Sequence, residues 1–288
     1  MQPIELIVNG DDFGASQEVN DAIIRAHREG ILTSCSLLVT GDAFAHAVEL
    51  ARQNRRLSVG IHLVAVKGRA VLPPAQVPLL VGGDGRFYDN PTQAGLKYHF
   101  VAAARRQLKA ELRAQFEKFL QTGLTLSHID SHLHMHVHPV IFRAALELGI
   151  EFGVTRMRTP RDDFGFICSN NRQLAVKCAV PATIFKLLCN SMKKTLKKAG
   201  FVFPERVYGH FHSGHITEAV VLTMLQSMRQ PSNELYFHPA LYPAGQALDA
   251  EQLQCRREFD ILTSPRVKAR LAELGIHLTT YLQLQQPA

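Results

Sequence analysis

Tryptophan is absent from this chain of 288 residues. No run of about 18 apolar residues occurs either, so no membrane-spanning helix is expected. The opening, MQPIELIVNGDDFG, lacks a basic leader followed by an apolar stretch, and no signal peptide is expected. Cysteine is sparse. Cys35, Cys168, Cys178, Cys189 and Cys255 are scattered, odd in number and without a CxxC pair. That argues against a disulfide framework or a zinc ribbon and suits a reducing compartment, so a cytoplasmic protein is the default expectation. Internal repeats and low-complexity tracts are also missing. Lys and Arg number 32 against 25 Asp and Glu, a net charge of +7 that hints at acidic partners. No basic run interleaved with aromatics accompanies it, so nucleic acid is not expected among them. What is present is an ordinary globular composition, 46% apolar and 20% charged, with ample length for a core.

Short apolar runs alternate with helical patterns from end to end. IELIVN (4–9) is a strand, and SQEVNDAIIRAHREG a helix with Ser16 as its cap and Gly30 as its stop. ILTSCSLLVT and LSVGIHLV read as strands, with AFAHAVELARQN as a helix between them. Residues 66–97, rich in Gly and Pro, read as a long surface loop. FVAAARRQLKAELRAQFEKFLQTG is one long helix before the strand LTLSHID. PVIFRAALELG (helix), GVTRMRT (strand), a cationic irregular region, TEAVVLTMLQSMRQ (helix), NELYFHP (strand), DAEQLQCRREFDILTS (helix) and GIHLTTY (strand) follow. Such alternation implies right-handed crossovers and a parallel sheet. Seven or eight units favour an α/β fold of the (β/α) barrel kind, complete or irregular. The chain reads as a single domain over 1–288 with a cationic helical insertion around 162–215.

In a (β/α) barrel, catalytic groups gather at the C-terminal ends of the strands. Here those ends carry Asp11-Asp12, His62, Asp130 with His132, and His238. SHIDSHLHMHVHP (127–139) adds a row of histidines on even positions, which share one face of an extended chain. Same-face neighbours stand about 6.6–6.8 Å apart, so one ion takes two of them at most. The strand is expected to end near Asp130, after which parity lapses. His128 then reads as core, His134 and His136 as supporting or substrate contacts, and His138 as a solvated loop residue. Adjacent aspartates point in different directions, so one can ligate a metal while the other faces a reacting group; capping of the next helix is the plain alternative.

The stretches IVNGDDFG (7–14), GIHL (60–63), SHIDSHLHMH (127–136) and YFHPA (236–240) resemble the YdjC-like carbohydrate deacetylase family, chitooligosaccharide deacetylase included. They run in the family's order along the whole chain. The resemblance implies a barrel-like fold related to polysaccharide deacetylases and hydrolysis of an N-acetylated amino sugar. It assigns Asp12, His62 and His132 to one divalent ion, zinc or magnesium, Asp11 to the base, and His238 to proton donation or the oxyanion. Asp130 and His136 become the supporting shell or substrate contacts. Gly10, where many relatives carry Ala, is a harmless departure, and Leu133 replaces a further His of several relatives.

VNGDDFG together with YGHFHSGHIT is closest to the hopanoid-biosynthesis-associated HpnK subgroup, which implies a lipid-linked N-acetylglucosaminyl headgroup as substrate. Residues 184–198 bear on this. A helical projection places Phe185, Leu188, Cys189, Met192 and Leu196 on one side and Lys186, Lys193, Lys194, Lys197 and Lys198 on the other. Such a helix suits peripheral contact with the inner face of an anionic membrane, or packing on the barrel with a solvated lysine face. A homodimer stays a candidate assembly. Rival readings are a soluble chitooligosaccharide substrate, a metal-dependent phosphoesterase or amidohydrolase, a non-haem iron oxygenase, and a metal- or lipid-binding protein. The long helices oppose the oxygenase, whose fold is all-β, and a binder has no need of Asp11.

Overall fold

A computed structural model describes residues 3–162, 172–212 and 214–285. Its seven strands are β1 (Ile4–Phe13), β2 (Ser34–Leu37), β3 (Ser58–Leu63), β4 (Leu126–Ser131), β5 (Arg206–Tyr208), β6 (Ser232–Phe237) and β7 (Ile276–Thr279). Every pairing is parallel, in the order β4-β3-β2-β1-β6-β5. β7 pairs with the first half of β1, on the edge whose second half belongs to β2. The helices are α1 (Gln17–Glu29), α2 (Phe44–Gln53), α3 (Pro91–Phe100), α4 (Ala102–Leu120), α5 (Pro139–Glu151), α6 (Arg172–Lys198), α7 (Glu218–Ser227), α8 (Ala250–Leu262) and α9 (Pro265–Glu273). The α/β barrel expectation holds with an irregular seam. Between edges β4 and β5, residues 156–161 bridge by isolated contacts: Ile129 N–H donates to the Arg156 carbonyl and Arg158 N–H to the Ile129 carbonyl (3.0 Å each), and Val207 N–H donates to the Arg161 carbonyl (3.2 Å).

The strands have two unlike faces. Leu6 and Val8 join the main apolar core with α1, where a Cβ on Gly10 would come within 2.8 Å of Ile23. Gly10 is therefore a point of close strand–helix approach, and an alanine there needs Ile23 and Leu32 to shift. The alternate positions Ile7, Asn9 and Asp11 face inward. Below them Ile7, Tyr281 and Leu284 form a separate apolar plug. Above it the interior is polar: Asn9, Asp11, Ser36, His62, His128, Asp130 and Glu234 are all buried. Buried polar groups persist only where hydrogen-bonded, so the interior is specified as a network.

Four expectations change. Residues 66–97 do not simply cover the surface: Val66, Val77, Leu80, Val81 and Phe87 are buried, and α3 begins at Pro91 with Asn90 as its cap. The long helix starts later than expected, at Ala102 after an extended Val101 (φ −102°, ψ 104°), and then runs unbroken to Leu120. GVTRMRT forms isolated bridges at Arg156 and Met157, not a strand. On α6, Cys189, Met192 and Leu196 are buried, while Phe185 and Leu188 pack partly against the core. The side assigned to a bilayer is thus covered by the domain, and Lys186, Lys194, Lys197 and Lys198 are a solvated face. Within the insertion, residues 163–171 and 213 lie outside the described residues. Among the described residues no helix is long and apolar enough to cross a membrane.

Candidate metal centre

β1 delivers its two aspartates through a register shift after Gly10. Asp12 takes a left-handed backbone (φ 61°), a conformation Asp tolerates better than most residues. Its Oδ1 lies 3.3 Å from His62 Nε2 and 3.2 Å from His132 Nδ1. β4 ends at Ser131, and the histidine row continues as a 3-10 turn (His132–Val137) with Leu133 and His134 at φ 52° and 53°. That twist ends the parity of the row and turns His132 alone toward Asp12. The three donor atoms lie within 4.8 Å of one another. One carboxylate oxygen and two imidazole nitrogens fit a divalent ion with open positions.

His62 and Asp130 are register partners on β3 and β4. His62 Nδ1 donates to Asp130 Oδ1 at 2.7 Å, which leaves Nε2 to face Asp12. A carboxylate behind a ligand histidine is what fixes its tautomer. Burial disfavours charge on His62, yet Asp130 and Asp12 raise its pKa to about 9. A metal would therefore displace a proton from it. Asp130 Oδ2 accepts from Ser36 at 2.5 Å, and Asn9 Nδ2 donates to both Ser36 and Asp11 at 2.8 Å.

Asp11 sits below the triad and is clamped by a residue the sequence reading missed. Arg158, fully buried, donates to both Asp11 oxygens at 2.7 Å, to Glu234 through Nε and Nη2, and lies 2.9 Å from Asp130. Burial would raise the Asp11 pKa, but Arg158, aided by His62 and His238, holds it far below the usual range. Glu234, by contrast, is pushed up by burial, and Tyr281 donates to it at 2.5 Å. His238, half-buried, stands at the end of β6. Its backbone N–H donates to Glu258 at 2.6 Å, and its ring is edge-on to Tyr236. His136 points the other way: Nε2 donates to the Arg158 carbonyl (3.1 Å), and Ser131 donates to Nδ1 (2.7 Å). It braces the segment that carries Arg158 and is shut off from any substrate. His134 meets the Tyr236 hydroxyl at 3.1 Å, and His128 stacks on Tyr281 with centroids 3.7 Å apart.

The sequence pattern of the family described as "YdjC-like protein" matches residues 5–273. A "Carbohydrate deacetylase" of Brevibacillus brevis is 34% identical over 284 residues, 98% of this chain and 100% of the relative. A "Chitooligosaccharide deacetylase" of Proteus mirabilis is 28% identical over 290 residues, 97% of this chain and 98% of the relative. Among solved structures, a proposed cellobiose-phosphate cleavage protein from Enterococcus faecalis V583 superposes with a TM-score of 0.75 at 26% identity, covering 99% of this chain and 100% of that one. With the family pattern spanning nearly the whole sequence, this chain belongs to the YdjC-like family.

Proposed function

We propose that this protein is a metal-dependent carbohydrate N-deacetylase, hydrolysing the acetamide of an N-acetylglucosamine-type sugar to a free amino sugar and acetate. The observation that carries the reading is the convergence of Asp12, His62 and His132 beside an Arg158-clamped Asp11 at one end of the sheet. The names of the relatives support the substrate class.

Asp12, His62 and His132 would hold one ion, zinc or magnesium. A bound ion supplies Lewis acidity toward the acetyl carbonyl and lowers the pKa of nearby water. Asp130 keeps His62 in the tautomer that presents Nε2. Asp11 takes the proton of the attacking water as its oxygen bonds to the acetyl carbon. With its proton affinity lowered by Arg158, Asp11 is a weak base but a strong acid once protonated, and the proton it accepts goes on, directly or through His238, to the amine nitrogen as the C–N bond breaks. His238, at the mouth, steadies the developing oxyanion or protonates the amine nitrogen as the C–N bond breaks. The narrower reading is a lipid-linked sugar, the headgroup of a hopanoid glycolipid. Its support is apolar exposure close to the centre: Leu133, next to the ligand His132, is 48% exposed.

Acetate release from chitobiose and from an N-acetylglucosaminyl lipid, with and without chelator, tests both. Chelator-sensitive release from the lipid alone supports the narrower reading. Release from chitobiose alone keeps the deacetylase and removes the lipid. Release from neither, with metal bound, overturns the proposal.

A further inference from the structure

The candidate metal centre occupies the C-terminal ends of the strands. At the opposite end, the last turns of α1 and α2 and the segments leading into β2 and β3 enclose a cleft of about 670 Å³. Its titratable and charged lining is His27, Arg28, Arg52, Arg55 and Arg56, and the exposed Leu278 supplies apolar wall. No carboxylate lines it. The nearby Glu29 carboxylate is paired with Arg25 at 2.9 Å, and that of Glu49 accepts from Gln53.

Cations at helix C-termini ordinarily complement the helix dipole, and two of the four arginines have this explanation. Arg28 and Arg52 lie in last turns, and each is spent locally: Arg28 Nε donates to Asn54 Oδ1 at 2.9 Å, Arg52 Nη2 to the Thr122 carbonyl at 2.8 Å. Arg55 and Arg56 do not. They lie beyond the end of α2, are exposed, and make no hydrogen bond or ion pair among the described residues. The positive field of Arg56 and Arg28 reaches His27, whose pKa is lowered chiefly by burial, against its bond to the Leu32 carbonyl, and further by those two guanidiniums. A second hollow of about 470 Å³, also lined by Arg52 and Arg55, continues the concavity toward Thr125 and Leu282.

We propose that this cleft binds a soluble phosphate ester, its dianion held by Arg55 and Arg56 and its organic part placed against the exposed Leu278. Guanidinium forks match phosphate oxygens in pairs, and the volume is that of a small-molecule site. Concavity favours a molecule that enters over a bilayer, which needs a convex or flat surface. The basic stretch of α4 offers a contrast, because there Lys109 and Arg113 are already paired with Glu147 and Glu151.

Calorimetric titration of the full chain with phenyl phosphate and with inorganic phosphate tests the site. Saturable one-to-one binding is expected, tighter for phenyl phosphate. It should weaken at least about tenfold in Arg55→Ala/Arg56→Ala and stay unchanged in Arg105→Ala/Arg106→Ala on α4. All four side chains are at the surface, and an unchanged melting temperature checks that the variants fold. Equal weakening in both variants, absence of saturable binding, or binding lost to chelator but retained in Arg55→Ala/Arg56→Ala overturns it. So does Arg55- and Arg56-dependent co-sedimentation with anionic phospholipid vesicles in the absence of phenyl phosphate binding, which would assign the cleft to a lipid surface.

Discussion

Arg158 sets its guanidinium against three buried carboxylates, those of Asp11, Asp130 and Glu234. Removing one partner of a buried ion cluster leaves charge with neither water nor counter-ion. Arg158→Met is expected to cost about 3–5 kcal/mol in urea unfolding, with Arg158→Lys between it and the native protein because the amine restores charge but not the fork. A loss under about 1 kcal/mol for the methionine variant would contradict the clamp. His128 gives a pH signature. Burial lowers its pKa from 6.5 to about 3, so the unfolded chain takes up a proton that the folded chain refuses. Its contribution is complete above about pH 6.5 and drains away as pH falls toward 3, by up to about 1.4 kcal/mol per pH unit. Urea midpoints from pH 7 to 4 should decline less steeply in His128→Gln, and an identical slope would remove His128 from the acid limb. The aspartates and histidines of the candidate site were legible because they end apolar runs. Arg158 and Glu234 were not. They sit within strand-like segments 76 residues apart, and only tertiary pairing shows that each faces inward.

Elements explain why the polar interior is closed below. Tyr281, just past β7, lies under His128 and donates to Glu234, while Gly60 on β3 leaves room for the His128 ring, 2.3 Å from where a Cβ would stand. Tyr281→Phe keeps the stack but leaves a Glu234 oxygen unpaired, an expected cost of about 1–3 kcal/mol. Tyr281→Ala also opens a cavity and should cost about 3–5 kcal/mol. Thermal unfolding ranks the two, and equal melting temperatures would show that Tyr281 is no plug. β1, β3, β4 and β6 were readable from compact apolar runs bounded by polar ends. The 66–97 segment was misread because its buried valines and leucines gain their environment from α4 and the barrel, to which local Gly and Pro content is blind. Four of the five lysines expected on the outer face of α6 are solvated, whereas Lys193 is partly covered and donates to the Glu205 carbonyl; an amphipathic pattern does not say whether lipid or protein covers the other face, and here Cys189, Met192 and Leu196 meet protein.

At the scale of the molecule, the curled parallel sheet separates two tasks. Its C-terminal end gathers the triad and the clamped Asp11, and its N-terminal end carries the arginine cleft. In the proposed reaction Asp11 acts in the chemistry while Asp12, His62 and His132 hold the ion. The direct test is Asp11→Asn, which keeps the side chain's shape, with metal content and acetate release from chitobiose measured on one preparation. Metal is expected to bind as in the native protein, with acetate release lowered by at least about a hundredfold. Native-like acetate release from a metal-loaded Asp11→Asn protein would contradict it.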